Sequence, residues 1–264
     1  MKSKYEEFYF ENDKNYPASV YWDLYDENHQ EAIEKYEGHM FCPLCNLAPL
    51  TVAKGNERRY FKVIESDMDK HDDACSYRLE KASKRETKTF YKDLNDTDMK
   101  NRLVCCMNKM LKSTNKLGDV ESSGANSKGR HKKDFFNITT EGNKKKYLPH
   151  KSLYSGTFDD EIDNTKIYYG KCALYLYKYI PSGEMGVKVY YLKILNLDSR
   201  KLICDLSIST NVYNYLNDVL DVIPTEKEDA QIFYLCFAGE MKKSKYSYNC
   251  KLRDSRLIVI EEEM

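Results

Sequence analysis

The C-terminal half of the chain is written in short apolar runs separated by turn residues. Lys166 to Ile180, Val187 to Leu195, Lys201 to Ser209, Gln231 to Gly239 and Tyr246 to Ile260 are rich in Tyr, Val, Ile, Leu and Cys. Pro181-Ser182-Gly183 and Asp198-Ser199 punctuate the first three, so each run predicts a strand. Between the third and fourth, Asn211 to Val222 sets Val212, Tyr215, Leu216 and Val219 on one helical face. Three strands, a helix and two strands is the order of the OB-fold, a small Greek-key barrel. Residues 151–264 are therefore expected to form an OB-like five-stranded β-barrel.

Period-two alternation divides these strands into faces. In the first, Cys172, Leu174, Leu176 and Ile180 are expected inside, which leaves Lys171, Tyr175, Tyr177 and Tyr179 outside. The third is expected to send Leu202, Cys204, Leu206 and Ile208 inward.

The N-terminal half has a different grain. Asp26 to Tyr36 predicts a short helix with Ala32, Ile33 and Tyr36 on one side. Pro43, Pro49 and Gly55 then break the text around two short runs, Leu50 to Ala53 and Arg59 to Ile64, which predict a hairpin. From a cap at Asp96, Met99, Leu103, Met107, Met110 and Leu111 recur at helical steps, and this helix is expected to pack on the hairpin module. Ser, Asn, Gly and Lys dominate from Ser113 to Gly142, the mark of a linker. The fold class expected is α+β: a module over 1–112, a basic flexible linker over 113–150 and the barrel over 151–264.

Charge changes the picture locally rather than globally. The chain carries 42 basic and 42 acidic residues, so no whole-molecule field draws it to nucleic acid. Residues 1–37 hold four Lys and ten acids, a net of −6, while residues 112–151 hold ten basic residues and four acids, a net of +6. No window offers the run of about 18 apolar residues that spans a bilayer, and the start of the chain has no secretory pattern. Nine cysteines, two of them adjacent at Cys105 and Cys106 in a helical pattern, fit a reducing compartment better than a disulfide framework. The expected location is cytoplasmic, with no membrane contact.

The sharpest chemistry lies around the hairpin. Cys42-Pro43-Leu44-Cys45 puts two thiols on one tight turn, and His71-Asp72-Asp73-Ala74-Cys75 returns a second pair across it. Two close ligand pairs joined by a loop suit one tetrahedral Zn ion, so Cys42, Cys45, His71 and Cys75 are the expected ligands. His39 is a substitute, and ordinary buried thiols are the plain alternative. A thioredoxin-like redox motif needs a strand before the Cys pair and a helix after it, where Pro49 and Gly55 stand instead.

The run Phe41-Cys42-Pro43-Leu44-Cys45, then Arg58-Arg59-Tyr60-Phe61, then His71-x3-Cys75-Ser76-Tyr77 resembles the zinc ribbon at the start of competence protein CoiA-like bacterial families. The resemblance covers about forty residues and implies a zinc site in a protein that acts on DNA. Downstream the chain departs from that pattern, with no nuclease core in view.

Function then rests on the barrel surface. Single-strand binders stack bases on aromatic rings and neutralise phosphates with nearby cations. Tyr175, Tyr177, Tyr179, Lys188, Tyr191, Lys193, Arg200 and Lys201 are the candidate contacts, although Tyr is also a good strand former that closes barrels by packing. Lys128, Arg130, Lys132, Lys133 and Lys144 to Lys146 are candidate phosphate contacts in a run more often simply solvated. None of the phosphate-loop, dinucleotide, nucleophile-elbow or H-E-x-x-H signatures occurs. The one enzyme-like trace is Glu240-Met241-Lys242 with Asp221 upstream, an arrangement that in nucleases holds Mg²⁺. The expected function is non-enzymatic binding of single-stranded DNA or RNA in a bacterial DNA-uptake, repair or phage-defence setting. The alternative is an adaptor that docks a protein partner through the barrel, and a third reading is a Mg-dependent nuclease. No small-molecule substrate is evident.

Overall fold

A computed structural model describes residues 5–11, 15–54, 59–73, 75–93, 96–114, 136–140, 143–153, 158, 165–182, 186, 189–245 and 247–263. The chain divides into two compact units, Met1–Lys81 with Ser113–Tyr147, and Ala82–Lys112 with Leu148–Met264.

The first unit is assembled from short elements. Strands β1 (Glu7–Phe10), β2 (Asn15–Pro17) and, after helices α1 (Ala18–Glu27) and α2 (His29–Tyr36), β3 (Met40–Phe41) make one antiparallel sheet in the order β2-β1-β3. The helix expected over Asp26–Tyr36 is thus two, parted at Asn28, whose extended backbone and side chain cap α2 by accepting from Glu31 N. The expected hairpin is present as β4 (Thr51–Lys54) and β5 (Arg59–Lys62), paired antiparallel with Val52 opposite Phe61. Its core is aromatic: Phe61 stacks on Trp22 at 5.3 Å and meets Phe8 and Tyr21 edge-on at 5.6 and 5.5 Å. Each such pair is worth about 0.5–1.5 kcal/mol beyond its buried area, which matters in a unit with few long elements. A further small sheet joins β6 (Glu80–Lys81) to a hairpin of two strands in the expected linker, β7 (Asn137–Thr139) and β8 (Lys145–Tyr147). The described end of that linker is therefore strand, and Lys146 pairs with Glu80 at 3.6 Å. Lys128, Arg130, Lys132 and Lys133 lie outside the described residues.

The second unit holds helices α3 (Lys84–Asp93) and α4 (Asp96–Thr114) together with the barrel. Helix α4 was expected on the hairpin module, yet it belongs to the second unit, where its buried Cys106 interacts with Cys236. The apolar stripe of Met99, Leu103 and Met107 is as buried as its spacing requires, and periodicity alone does not say which partner buries it.

The barrel closes through five strands: β10 (Thr165–Tyr179), β11 (Val189–Leu195), β12 (Leu202–Ser209), β13 (Gln231–Lys243) and β14 (Tyr248–Leu252). They pair in the ring β10-β11-β12-β14-β13-β10, antiparallel except for β12 with β14, with β9 (His150–Ser152) and β15 (Ile258–Glu262) added outside it. Short helices α5 (Thr210–Asn214) and α6 (Asn217–Leu220) fill the expected helical segment between the third and fourth strands. Closure leaves no free edge in the ring, and the interior is filled by Cys172, Leu174, Leu176, Leu192, Ile194, Cys204, Leu206, Phe233, Leu235 and Phe237.

Four expectations are corrected here. Ile180 lies beyond the end of β10 and is 54% exposed. Leu202 is outside, because a register irregularity at Ile194/Leu195 shifts the alternation and buries Ile203 instead. The run Tyr246 to Ile260 is two strands, broken where Asp254 accepts from Arg256 N and starts a 3₁₀ turn. In the helical segment Tyr213, Leu220 and Ile223 are the buried residues, while Tyr215 and Val219 face out and Val212 and Leu216 pack only partly on the core.

Candidate functional site

The metal-type cluster forms where three turns of the first unit meet. Strand β3 delivers the chain to Cys42, whose N–H donates to Ala48 O at 2.8 Å and whose carbonyl accepts from Asn46 N at 2.8 Å. Asn46 takes a left-handed conformation, φ 61°, as a residue tolerant of positive φ must for the turn to fold back on itself. The hairpin β4–β5 then reverses the chain, and a 3₁₀ segment over Glu65–Lys70 carries it to His71.

Cys42, Cys45, His71 and Cys75 offer ligand atoms that all lie within 4.8 Å of one another. Cys42 Sγ is 3.9 Å from Cys75 Sγ, and Cys45 Sγ is 3.3 Å from His71 Nδ1. A tetrahedral cation with metal–sulfur bonds of about 2.3 Å demands edges of about 3.8 Å between sulfurs, which these separations approach. Cys42, His71 and Cys75 are buried and Cys45 is half-buried. This donor set is compatible with a closed four-ligand metal site, with no protein-free position for a reacting molecule. Among the described residues no other group of three or more His, Cys, Asp or Glu has this proximity.

The electrostatics of the bare cluster are uneven. Hydrogen bonds from Cys42 and Cys75, then from His71, hold the Cys45 thiol well below its ordinary value, whereas burial followed by its bond to Cys45 pushes Cys42 far up. One thiolate is thus favoured and its neighbours keep their protons. A dication would relieve that conflict by stabilising all three thiolates.

Sequence reasoning did not find the residue behind His71. The Tyr5 hydroxyl lies 3.3 Å from His71 Nε2, and Tyr5 is buried with its ring edge-on to Tyr77 at 4.8 Å. An N-terminal Tyr 66 residues away carries no local signal of that contact. His39, the substitute ligand, is instead half-exposed and paired through Nδ1 with Glu11 at 2.7 Å.

On the barrel, registry gathers part of the candidate surface. Tyr175 faces Lys193, which faces Asp205; Tyr177 faces Tyr191, which faces Ser207. The Tyr177 and Tyr191 rings stand 6.4 Å apart, and Lys193 Nζ lies 5.9 and 5.4 Å from their centroids. Tyr177 is 48% exposed and Tyr179, at the end of β10, is 42% exposed, whereas Tyr175 and Tyr191 are half-buried. Arg200 and Lys201 are exposed on the β11–β12 turn, with the Arg200 guanidinium donating to Ala230 O at 3.1 Å. That turn stands at the far end of β11 from Tyr191. Lys188 lies outside the described residues.

Asp205 is the other residue the sequence did not flag. It is 7% exposed, pairs with Lys193 at 2.9 Å and accepts from Ser247 Oγ at 3.2 Å. The ammonium of Lys193 is therefore already matched by a carboxylate. Its signal was available only through register, since an acid in an otherwise apolar strand opposite a Lys marks a cross-strand pair.

Glu240 accepts from Thr165 Oγ1 at 3.1 Å, and Asp221 accepts from the Tyr213 hydroxyl. No helix among the described residues is long and apolar enough to cross a membrane. Protein-family models, curated proteins and solved structures give no match to this chain, so the ribbon's likeness to the CoiA-like families rests on its motif alone.

Proposed function

We propose that the protein is a zinc-containing, non-enzymatic binder of single-stranded nucleic acid, in which a zinc-ribbon unit accompanies an OB-like barrel. The observation that carries this reading is the exposed Tyr177 with the half-buried Tyr191 beside Lys193 on strands β10 and β11. The ring order β10-β11-β12-β14-β13, with a helical segment after β12, supports the OB-like assignment; such barrels take oligonucleotides on the face of the second and third strands, of which β11 carries Tyr191 and Lys193 while Tyr177 adjoins them from β10. Two rings side by side offer stacking planes to successive bases, each worth about 1–3 kcal/mol.

The Lys193–Asp205 pair alters the character expected of that binding. With its cation matched, the face draws more on stacking than on phosphate neutralisation, so affinity should be modest and only weakly salt-dependent. Zinc is the metal we assign, because three thiols and an imidazole in a closed tetrahedral set favour it over oxygen-loving cations. Its role is structural: metal binding supplies folding free energy to a unit of short strands. A bacterial DNA-uptake, repair or phage-defence setting accords with the ribbon's resemblance.

Anisotropy titrations of labelled twelve-nucleotide single-stranded DNA and RNA against the full chain test the reading. Saturable binding to either supports it. Absence of binding to both at low salt, in protein that keeps its metal and melts cooperatively, transfers the function to protein docking.

A further inference from the structure

The segment that plugs the barrel is apolar on two sides. Tyr213, Leu220 and Ile223 turn inward, Tyr213 stacking on Tyr190 at 3.6 Å, and Pro224 O accepts from Leu176 N at 2.7 Å to fasten the segment to β10. Yet Tyr215, between α5 and α6, Val219 in α6 and Val222 just after it face solvent at 81%, 38% and 58% exposure. Three such side chains within eight residues exceed the singly scattered apolar residues that a protein surface ordinarily carries.

The surroundings select the occupant. Residues 215–229 carry five acids and Lys227 as their one base, a net of −4 in a chain whose total is zero. The acids Asp218, Glu226, Glu228 and Asp229 are exposed. Phosphate chains are repelled by such a rim, and a second copy would bring an identical negative rim against it. From this we infer that the α5–α6 cap is a docking surface for a protein segment whose apolar side chains are flanked by Lys or Arg. Tyr215 is its anchor, an aromatic ring that buries a large area at small entropic cost. The inference rests on the charge and exposure of the cap and does not depend on the nucleic-acid reading.

A displayed library of random twelve-residue peptides, selected against the immobilised full chain, supplies the probe. Enriched peptides are expected to combine apolar residues with two or more Lys or Arg, to bind Tyr177→Ala protein unchanged, and to lose at least tenfold in affinity for Tyr215→Ser and for Val222→Ser. Both positions are exposed, so the variants should keep the wild-type melting temperature. Asp218→Lys is expected to weaken the same peptides about threefold or more. The inference is overturned if enriched peptides lack basic residues or bind Tyr215→Ser equally well. It is also overturned if Tyr215→Ser abolishes a self-association of the chain or an oligonucleotide affinity instead.

Discussion

The hydroxyl of Tyr5 and Nε2 of His71 stand 3.3 Å apart inside the first unit, so one imidazole nitrogen is engaged by the protein while the other, Nδ1, points at the cysteine cluster. A proton on Nε2 donated to the Tyr5 oxygen leaves the Nδ1 lone pair for a metal, and such an outer partner fixes both ring angle and tautomer. Tyr5→Phe should therefore retain the fold and weaken metal affinity about 10- to 100-fold, measured by competition with a chromogenic chelator. Unchanged affinity in that variant would reduce Tyr5 to a packing residue.

Metal content is the companion prediction. Purified, unchelated protein should carry about one zinc per chain, and Cys42→Ser or Cys75→Ser should lose it and unfold the first unit. The pH dependence has a definite sign. Binding requires that the buried Cys42 release a proton it holds strongly and that His71 be neutral, so affinity should fall as pH falls, with zinc released to chelator faster at pH 5.5 than at pH 7.5. Metal analysis that finds no zinc would remove the first unit's assignment.

Close approach at Gly239 gives a prediction for the barrel. A Cβ at that position would lie 2.3 Å from the sulfur of the fully buried Cys250. Gly239→Ala should cost about 1–3 kcal/mol in denaturant melts. Removing the sulfur as well, in Gly239→Ala/Cys250→Ala, should recover part of that loss, a non-additivity that marks the two sites as touching.

The cross-strand pair is tested by its own cycle. Lys193→Ala leaves Asp205, 7% exposed, with the Ser247 hydroxyl but without its paired ammonium and should destabilise the chain by about 1–3 kcal/mol. Adding Asp205→Asn should restore much of it, because the uncompensated charge is then gone. Additive losses would show that the pair contributes nothing beyond its parts.

Much of this architecture is legible in the sequence where periodicity is regular and local. Leu174 and Leu176 alternate into the barrel interior, and the spacing of Cys42, Cys45, His71 and Cys75 places two ligand pairs either side of a hairpin that forms as expected. What escaped depends on three-dimensional register. Leu202 lies outside because of one irregularity across from it, and no alternation rule contains that shift. Helix α4 shows its apolar stripe plainly, but a stripe names no partner, and Cys106 meets Cys236 130 residues along the chain. Tyr5 matters through a residue 66 positions away, a distance over which a single sequence carries no pairing signal, and Asp205 through its register opposite Lys193, which only the paired strands fix.

The most direct test of the nucleic-acid reading is a titration of one single-stranded oligonucleotide against wild type, Tyr177→Ala and Tyr191→Ala at two salt concentrations. The account predicts that each substitution weakens binding by about 1–3 kcal/mol, that the salt slope is shallow, and that the slope is the same in all three proteins, since stacking is not ionic. Equal affinities for the three proteins, or a steep slope with no effect of either tyrosine, would contradict it.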